Sequence, residues 1–125
     1  MSDQKKKKIF VLEDDLVNQK IMGRLITHFG YDLVMTDDGF AAIDIIKRER
    51  PDLLLLDVQL VGITGIEVAS AVRQTKGIST IPIVMVTALA TSDDRDRIIK
   101  ESQCNDYMSK PFTPNELSEK IQKYI

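Results

Sequence analysis

The chain has 125 residues, a length that fits one domain with a substantial single core. Its composition is 43% hydrophobic and 29% charged, that of an ordinary globular protein, and its formal charge of −2 argues against a dominant nucleic-acid or anionic-membrane surface. No apolar stretch reaches membrane-spanning length, no secretory signal follows the N-terminal lysines, and a single cysteine, Cys104, excludes an internal disulfide. These features together fit a cytoplasmic protein. Cys104 is read as a small buried hydrophobe, and His28, also alone, has no partner at zinc-ligand spacing.

Residues 1–7 read as a basic N-terminal arm, because the run Lys5 to Lys8 precedes the first apolar segment; residues 8–125 read as the folded domain. Ile9-Phe10-Val11-Leu12 is a continuous apolar strand that ends in Glu13-Asp14-Asp15. Asp15 is read as solvated, without a duty. Val17, Ile21, Met22, Leu25, Ile26 and Phe29 then recur at helical spacing, with Gly30 as the stop. A short strand over 31–36 closes at Asp37-Asp38-Gly39, and a modest amphipathic helix over 40–50 is ended by Pro51.

Four consecutive leucines, Leu53 to Leu56, lie between Pro51-Asp52 and Asp57. A run without alternation has no wet face and reads as the middle strand of a parallel sheet, buried on both sides. Residues 58–65 form a loop with two glycines, followed by a helix over about 66–76 with Ile66, Ala69 and Val72 on one side. A fourth apolar strand covers 81–86, and a charged helix covers 93–102 with Ile98 and Ile99 as its only apolar positions. A brief strand over 105–108 leads to Ser109-Lys110-Pro111. The last helix starts at Thr113-Pro114-Asn115-Glu116, a capping box with proline at the first helical position, and buries Leu117, Ile121 and Tyr124 or Ile125.

Strand and helix thus alternate five times with short connections. That pattern specifies an α/β fold, a (βα)5 doubly wound parallel sheet, whose right-handed crossovers must reverse direction somewhere and so create a switch point; in a strand order of 2-1-3-4-5 the second strand lies at the edge. Glu13 and Asp14 close the first strand, Asp57 the third and Thr87 the fourth, and Lys110 follows the fifth. All five can converge on one rim. Crowded carboxylates repel each other, which a divalent cation relieves; oxygen donors without His or Cys favour Mg²⁺ or Mn²⁺. Lys110 and Thr87 can hold phosphoryl oxygens, and an aspartate can take a phosphoryl group as a covalent acyl phosphate.

Those residues carry a resemblance. Glu13-Asp14 after an apolar strand, the stretch from Pro51 to Asp57, Gly65, Thr87-Ala88 and Lys110-Pro111, in this order and at these spacings, resemble the receiver domain of two-component response regulators, the CheY-like superfamily with its flavodoxin-like fold. The likeness covers essentially the whole chain. Its length and the phrases 57–60 and 104–111 are most similar to stand-alone DivK-like regulators. The resemblance implies Asp57 as phosphoacceptor and Glu13, Asp14 and Asp57 as Mg²⁺ ligands, with the backbone carbonyl of Gln59 completing the shell. It further implies Thr87 and Tyr107 as a switch pair, Lys110 as a phosphoryl-binding residue and a cis Lys110–Pro111 bond. A histidine kinase or phosphotransfer protein would be the donor, and the face formed by helix 4, strand 5 and helix 5 would meet a downstream protein. No direct nucleic-acid or membrane contact is implied, nor any turnover of an external substrate: the domain phosphorylates itself and slowly hydrolyses the product.

The chain departs from the family after the phosphoacceptor, where Leu60 and Val61 replace the usual Met-Pro and Thr64 stands where an acid is common. Losing the proline should loosen the loop that carries Gln59. Gln59 and Leu89 occupy the two positions that tune phosphoryl lifetime in this family. Two other functions compete: a constitutive interaction module that keeps the fold without the chemistry, and a flavodoxin-like cofactor binder, which the acids after the first strand disfavour. The chain could also be a receiver cut from a larger regulator or hybrid kinase.

Overall fold

A computed structural model describes residues 6–88 and 91–125. Five strands and five helices alternate: β1 (Lys8–Leu12), α1 (Leu16–His28), β2 (Asp32–Thr36), α2 (Ala42–Glu49), β3 (Leu53–Asp57), α3 (Gly65–Gln74), β4 (Ile83–Thr87), α4 (Ser92–Ser102), β5 (Asp106–Ser109) and α5 (Pro114–Tyr124). The strands form one parallel sheet in the order β2-β1-β3-β4-β5, as the sequence predicts. The chain reverses its direction of travel across the sheet between β1 and β3, which makes their carboxyl ends the topological switch point.

The unalternating runs are explained by two cores. Successive strand residues point to opposite faces. Leu54 and Leu56 join Phe10, Leu12, Ile83 and Met85 beneath α2, α3 and α4, through Ala42, Ile46, Val68, Ala69, Val72 and Ile98. Leu53 and Leu55 join Ile9, Val11, Val84 and Val86 beneath α1 and α5, through Met22, Ile26, Leu117 and Ile121. Every residue of β3 is buried. Polar residues cannot replace these leucines on either face without losing about 2 kcal/mol or more per side chain.

Several helix boundaries differ from expectation, each for a local reason. Helix α2 starts at Ala42, not Phe40, because Asp38 turns the chain first: its carboxylate accepts from Phe40 N and its carbonyl from Ala41 N. Arg50 caps α2 in the left-handed conformation at φ 47°. Helix α3 starts at Gly65 because Thr64 and Glu67 form a reciprocal capping box, legible in the sequence as Thr-x-x-Glu but overlooked there. Asp15, read as solvated, is the N-cap of α1 and accepts from Val17 N. Val17 and Ile21 fit the helical period of α1 yet lie 63% and 46% exposed, since only the face bearing Met22 and Ile26 meets the sheet. The capping box of α5 forms as expected at Thr113 and Glu116. Cys104 is half-buried against the α3–α4 core. Lys8 belongs to β1 and its Nζ reaches Glu49, so of the basic run only Lys6 and Lys7 are exposed among the described residues. No described helix is long and apolar enough to cross a membrane.

Candidate functional site

The site lies where β1 and β3 end. Continuing the strand alternation, Glu13 follows Ile9 and Val11, and Asp57 follows Leu53 and Leu55, so both carboxylates leave the sheet on the α1–α5 side. Glu13 stays in register through Glu13 N donating to Thr36 O at 3.2 Å and is 1% exposed; Asp57 is 5% exposed. Asp14 is half-buried beside them. One carboxylate oxygen from each of Glu13, Asp14 and Asp57 lies within 4.8 Å of the others. The chemistry of this donor set, three hard oxygens converging without nitrogen or sulfur, fits a divalent cation.

Lys110 approaches from the far edge of the sheet. Lys110 N donates to Thr87 O at 2.9 Å, and this bond ties the turn after β5 to the end of β4. Its Nζ donates to Glu13 Oε1 at 2.6 Å and to Asp57 Oδ2 at 3.1 Å. The Lys110–Pro111 peptide is cis, as expected. Thr87 is fully buried at the end of β4, and Tyr107 is half-buried on β5. Gln59 N donates to Asp57 Oδ1 at 3.1 Å, so the Asp57 carboxylate is held by an amide on one oxygen and an ammonium on the other.

Burial pushes the Asp57 carboxyl up to about 6 from 3.8; Lys110 opposes the rise and the Glu13 charge adds to it. Burial alone would lower the Lys110 ammonium, but its hydrogen bond to Glu13 and the charge of Asp57 outweigh that and hold it above its ordinary value. The lysine therefore stays charged while the aspartate is poised near neutrality. A cation beside Asp57 would drive it further toward the ionised form.

Gly65 is required by close approach. A β-carbon at this position would fall 1.9 Å from the Asp57 carbonyl oxygen, and Gly65 N donates to Val58 O at 2.9 Å. The start of α3 is thereby packed onto the backbone of Asp57. Two supports escaped the sequence reading. Gln19 Nε2 donates to Glu13 O at 2.7 Å, and Asp15 N donates to Glu13 Oε2 at 3.1 Å. Spacing alone does not reveal either, though Asp15 stands at an N-cap position that sequence rules recognise. Leu89 lies outside the described residues.

Away from the acids, Thr91, Ser92, Arg95, Tyr107, Lys120 and Lys123 help line a groove of about 580 Å³ between α4, β5 and α5. At its back, Asp106 accepts from Lys120 Nζ, Lys123 Nζ, Tyr124 Oη and Tyr107 N. Burial would raise the Asp106 carboxyl, but these donors hold it well below the usual carboxylate range.

Comparison with known proteins agrees with this geometry. The family model for the response regulator receiver domain matches residues 9–122. The polar-differentiation response regulator DivK of Brucella anthropi is 34% identical over 119 residues, covering 95% of this chain and 96% of its own. Among solved structures, the receiver domain of a sensor histidine kinase from Pseudomonas aeruginosa, with a magnesium ion coordinated in its active site cleft, superposes with TM-score 0.89 at 29% identity and covers 96% of this chain and 98% of its own. A putative response regulator from Chloroflexus aurantiacus superposes with TM-score 0.90 at 30% identity, over 96% and 98% of the two chains.

Proposed function

The chain belongs to the response regulator receiver domain family, and on that premise we propose that it is a phosphorylation-controlled switch whose acceptor is Asp57. One observation carries the reading: a buried carboxylate at the end of the central strand, clustered with Glu13 and Asp14 and held 3.1 Å from the Lys110 ammonium. Oδ of Asp57 attacks phosphorus carried on a histidine nitrogen of a kinase or phosphotransfer protein. The P–N bond breaks as the O–P bond forms, and the imidazole leaves with the electron pair. Ionised Asp57 is the nucleophile; burial raises its carboxyl, and a bound cation would favour the ionised form. Lys110, tethered to Glu13, neutralises charge on the incoming phosphoryl oxygens, and Thr87 donates a hydroxyl to another.

Glu13, Asp14 and Asp57, with the Gln59 carbonyl, would hold Mg²⁺ or Mn²⁺, which when bound neutralises phosphoryl charge as a Lewis acid. Thr87 and Tyr107 form the proposed switch pair, and Tyr107 also lines the α4–β5–α5 groove. A change at Thr87 would thus reach a surface on which a downstream protein reads the phosphorylated state. The domain turns over no external metabolite in this reading.

The test is incubation with a small acyl phosphate in Mg²⁺, followed by intact-protein mass. One phosphoryl adduct on the parent chain and none on Asp57→Asn is the expected result. Equal labelling of both would overturn the assignment of Asp57, and no labelling of the parent would favour a constitutive interaction module.

A further inference from the structure

The β3–α3 loop carries the Gln59 carbonyl; Gly65 N donating to Val58 O closes its base, and among the described residues no backbone–backbone hydrogen bond lies within 59–64. It also lacks the proline that would stiffen it. Its shape therefore depends on apolar contacts. Leu60 and Ile63 pack inward against the core, while Val61 is 88% exposed and Gly62 has φ +87°.

The neighbouring β2–α2 turn meets this loop in a reciprocal way. Gly39, on the turn, lies beneath Ile63: a β-carbon there would fall 2.3 Å from Ile63 Cγ2 and 3.4 Å from Leu60 Cδ1. Gly62, on the loop, lies beneath Phe40: a β-carbon there would stand 3.1 Å from Phe40 Cε2 and 3.6 Å from Cζ. Each segment thus offers a glycine to an apolar side chain of the other. The turn that presents Phe40 is itself pinned, since Asp38 N donates to Thr36 Oγ1 and Phe40 N to Asp38 Oδ1. Phe40 nevertheless leaves 69% of its surface in water. Core formation does not account for such a residue, whereas contact with a loop whose tip makes no backbone–backbone hydrogen bond does.

From this interlock we propose that Phe40 is a positioning residue for the metal-binding site: its ring clamps Gly62 and restricts the β3–α3 loop, so that the Gln59 carbonyl is held ready beside Asp57. The inference rests on the reading of Glu13, Asp14, Asp57 and Gln59 as the cation site. Phe40 touches neither the cation nor the phosphoryl group and acts through the loop alone. Because it stands on the turn after β2, it also couples that turn to the acceptor loop.

The experiment compares the parent chain, Phe40→Ala and Phe40→Leu by three measurements: Mg²⁺ affinity from calorimetric titration, amide hydrogen exchange of residues 59–63 without metal, and the urea unfolding midpoint. Phe40→Ala should weaken Mg²⁺ binding about threefold, the scale of a lost loop constraint. It should speed exchange at 59–63 and leave the midpoint and the exchange of β4 and β5 near the parent's; Phe40→Leu should recover most of both losses. Unchanged affinity and exchange in Phe40→Ala would overturn the clamp, and so would a uniform rise in exchange with a lowered midpoint. A parent chain that binds no Mg²⁺ would overturn the cation reading instead, and the metal-free exchange arm tells the two failures apart.

Discussion

Lys110 Nζ lies closer to Glu13, at 2.6 Å from Oε1, than to Asp57, although 97 residues separate the two partners in sequence. The lysine therefore has an anchor that does not depend on Asp57. Loss or modification of Asp57 leaves the ammonium paired, and loss of Lys110 leaves a wholly buried glutamate facing a second acid.

Asp57→Asn should stabilise the metal-free protein at pH 7 by roughly 1–3 kcal/mol, because it removes a buried charge whose partner keeps its other bond. Chemical denaturation of parent and variant in a chelating buffer checks this. A variant less stable than the parent would show that the Asp57–Lys110 pair outweighs the burial of the aspartate.

The same group dictates a pH dependence. Asp57 is raised from 3.8 to about 6, so between these values the native state keeps a proton that the unfolded chain has released. Its contribution to stability is complete below about pH 4 and is lost as pH rises through 6. Asp106 works oppositely: its carboxyl is held low, so its contribution is present above its unfolded value of 3.8 and lost as pH falls below it. Without divalent ions, unfolding titrations should show parent stability declining from pH 4 to 6 relative to Asp57→Asn. Asp106→Asn should remove part of the loss on the acid side.

Lys110→Ala should cost about 3 kcal/mol at pH 7, since it leaves Glu13 and Asp57 buried without their cation. The loss should shrink at pH 5, where Asp57, raised to about 6, takes up a proton, and shrink again on adding Mg²⁺. Thermal unfolding at two pH values, with and without the ion, checks both statements. A cost independent of pH and metal would point to packing in place of charge.

Mg²⁺ itself should stabilise the native chain. At ten times its dissociation constant the gain is about 1.4 kcal/mol, a rise of roughly 3–6 °C in Tm for a domain of this size. Asp14→Asn should abolish most of that shift while leaving the metal-free Tm nearly unchanged, because Asp14 is half-buried and Lys110 is engaged elsewhere. A full Mg²⁺ shift in Asp14→Asn would remove that residue from the ligand set.

Arg73 binds the α3 end to the far half of the sheet: its guanidinium donates to the carbonyls of Gln103, Ser79 and Ile81 and to Asn105 Oδ1. Asn105 Oδ1 also accepts from Ile83 N at 2.8 Å. Arg73→Ala should cost about 2–3 kcal/mol by urea denaturation, and Arg73→Lys should recover little, since an ammonium cannot reproduce the fork.

Much of this molecule is legible in one dimension because its signals are local. An apolar run without alternation, as in Leu53 to Leu56, needs two covered faces, and Thr113-Pro-Asn-Glu116 starts a helix from its own atoms. The Glu13–Asp14, Asp57, Thr87 and Lys110 set could be named because every strand of a parallel sheet delivers its carboxyl end to the same rim. Where the reading failed, the deciding partner was distant or the face ambiguous. Val17 and Ile21 fit the period of α1, yet nothing in the period says which of two apolar stripes the sheet will cover. Phe40 looked like the start of a helix and is instead part of a turn held by Asp38.

Strand and helix identity and the helix caps follow from periodicity and short-range hydrogen bonding, and both are written in neighbouring residues. Pair distances are not. Only the packed chain could show Lys110 choosing Glu13, Gln19 holding the Glu13 carbonyl, or Gly39 and Gly62 lying beneath side chains of each other's loops. Those contacts join segments brought together by the closing of two cores around one sheet, and their geometry exists only once that burial is complete.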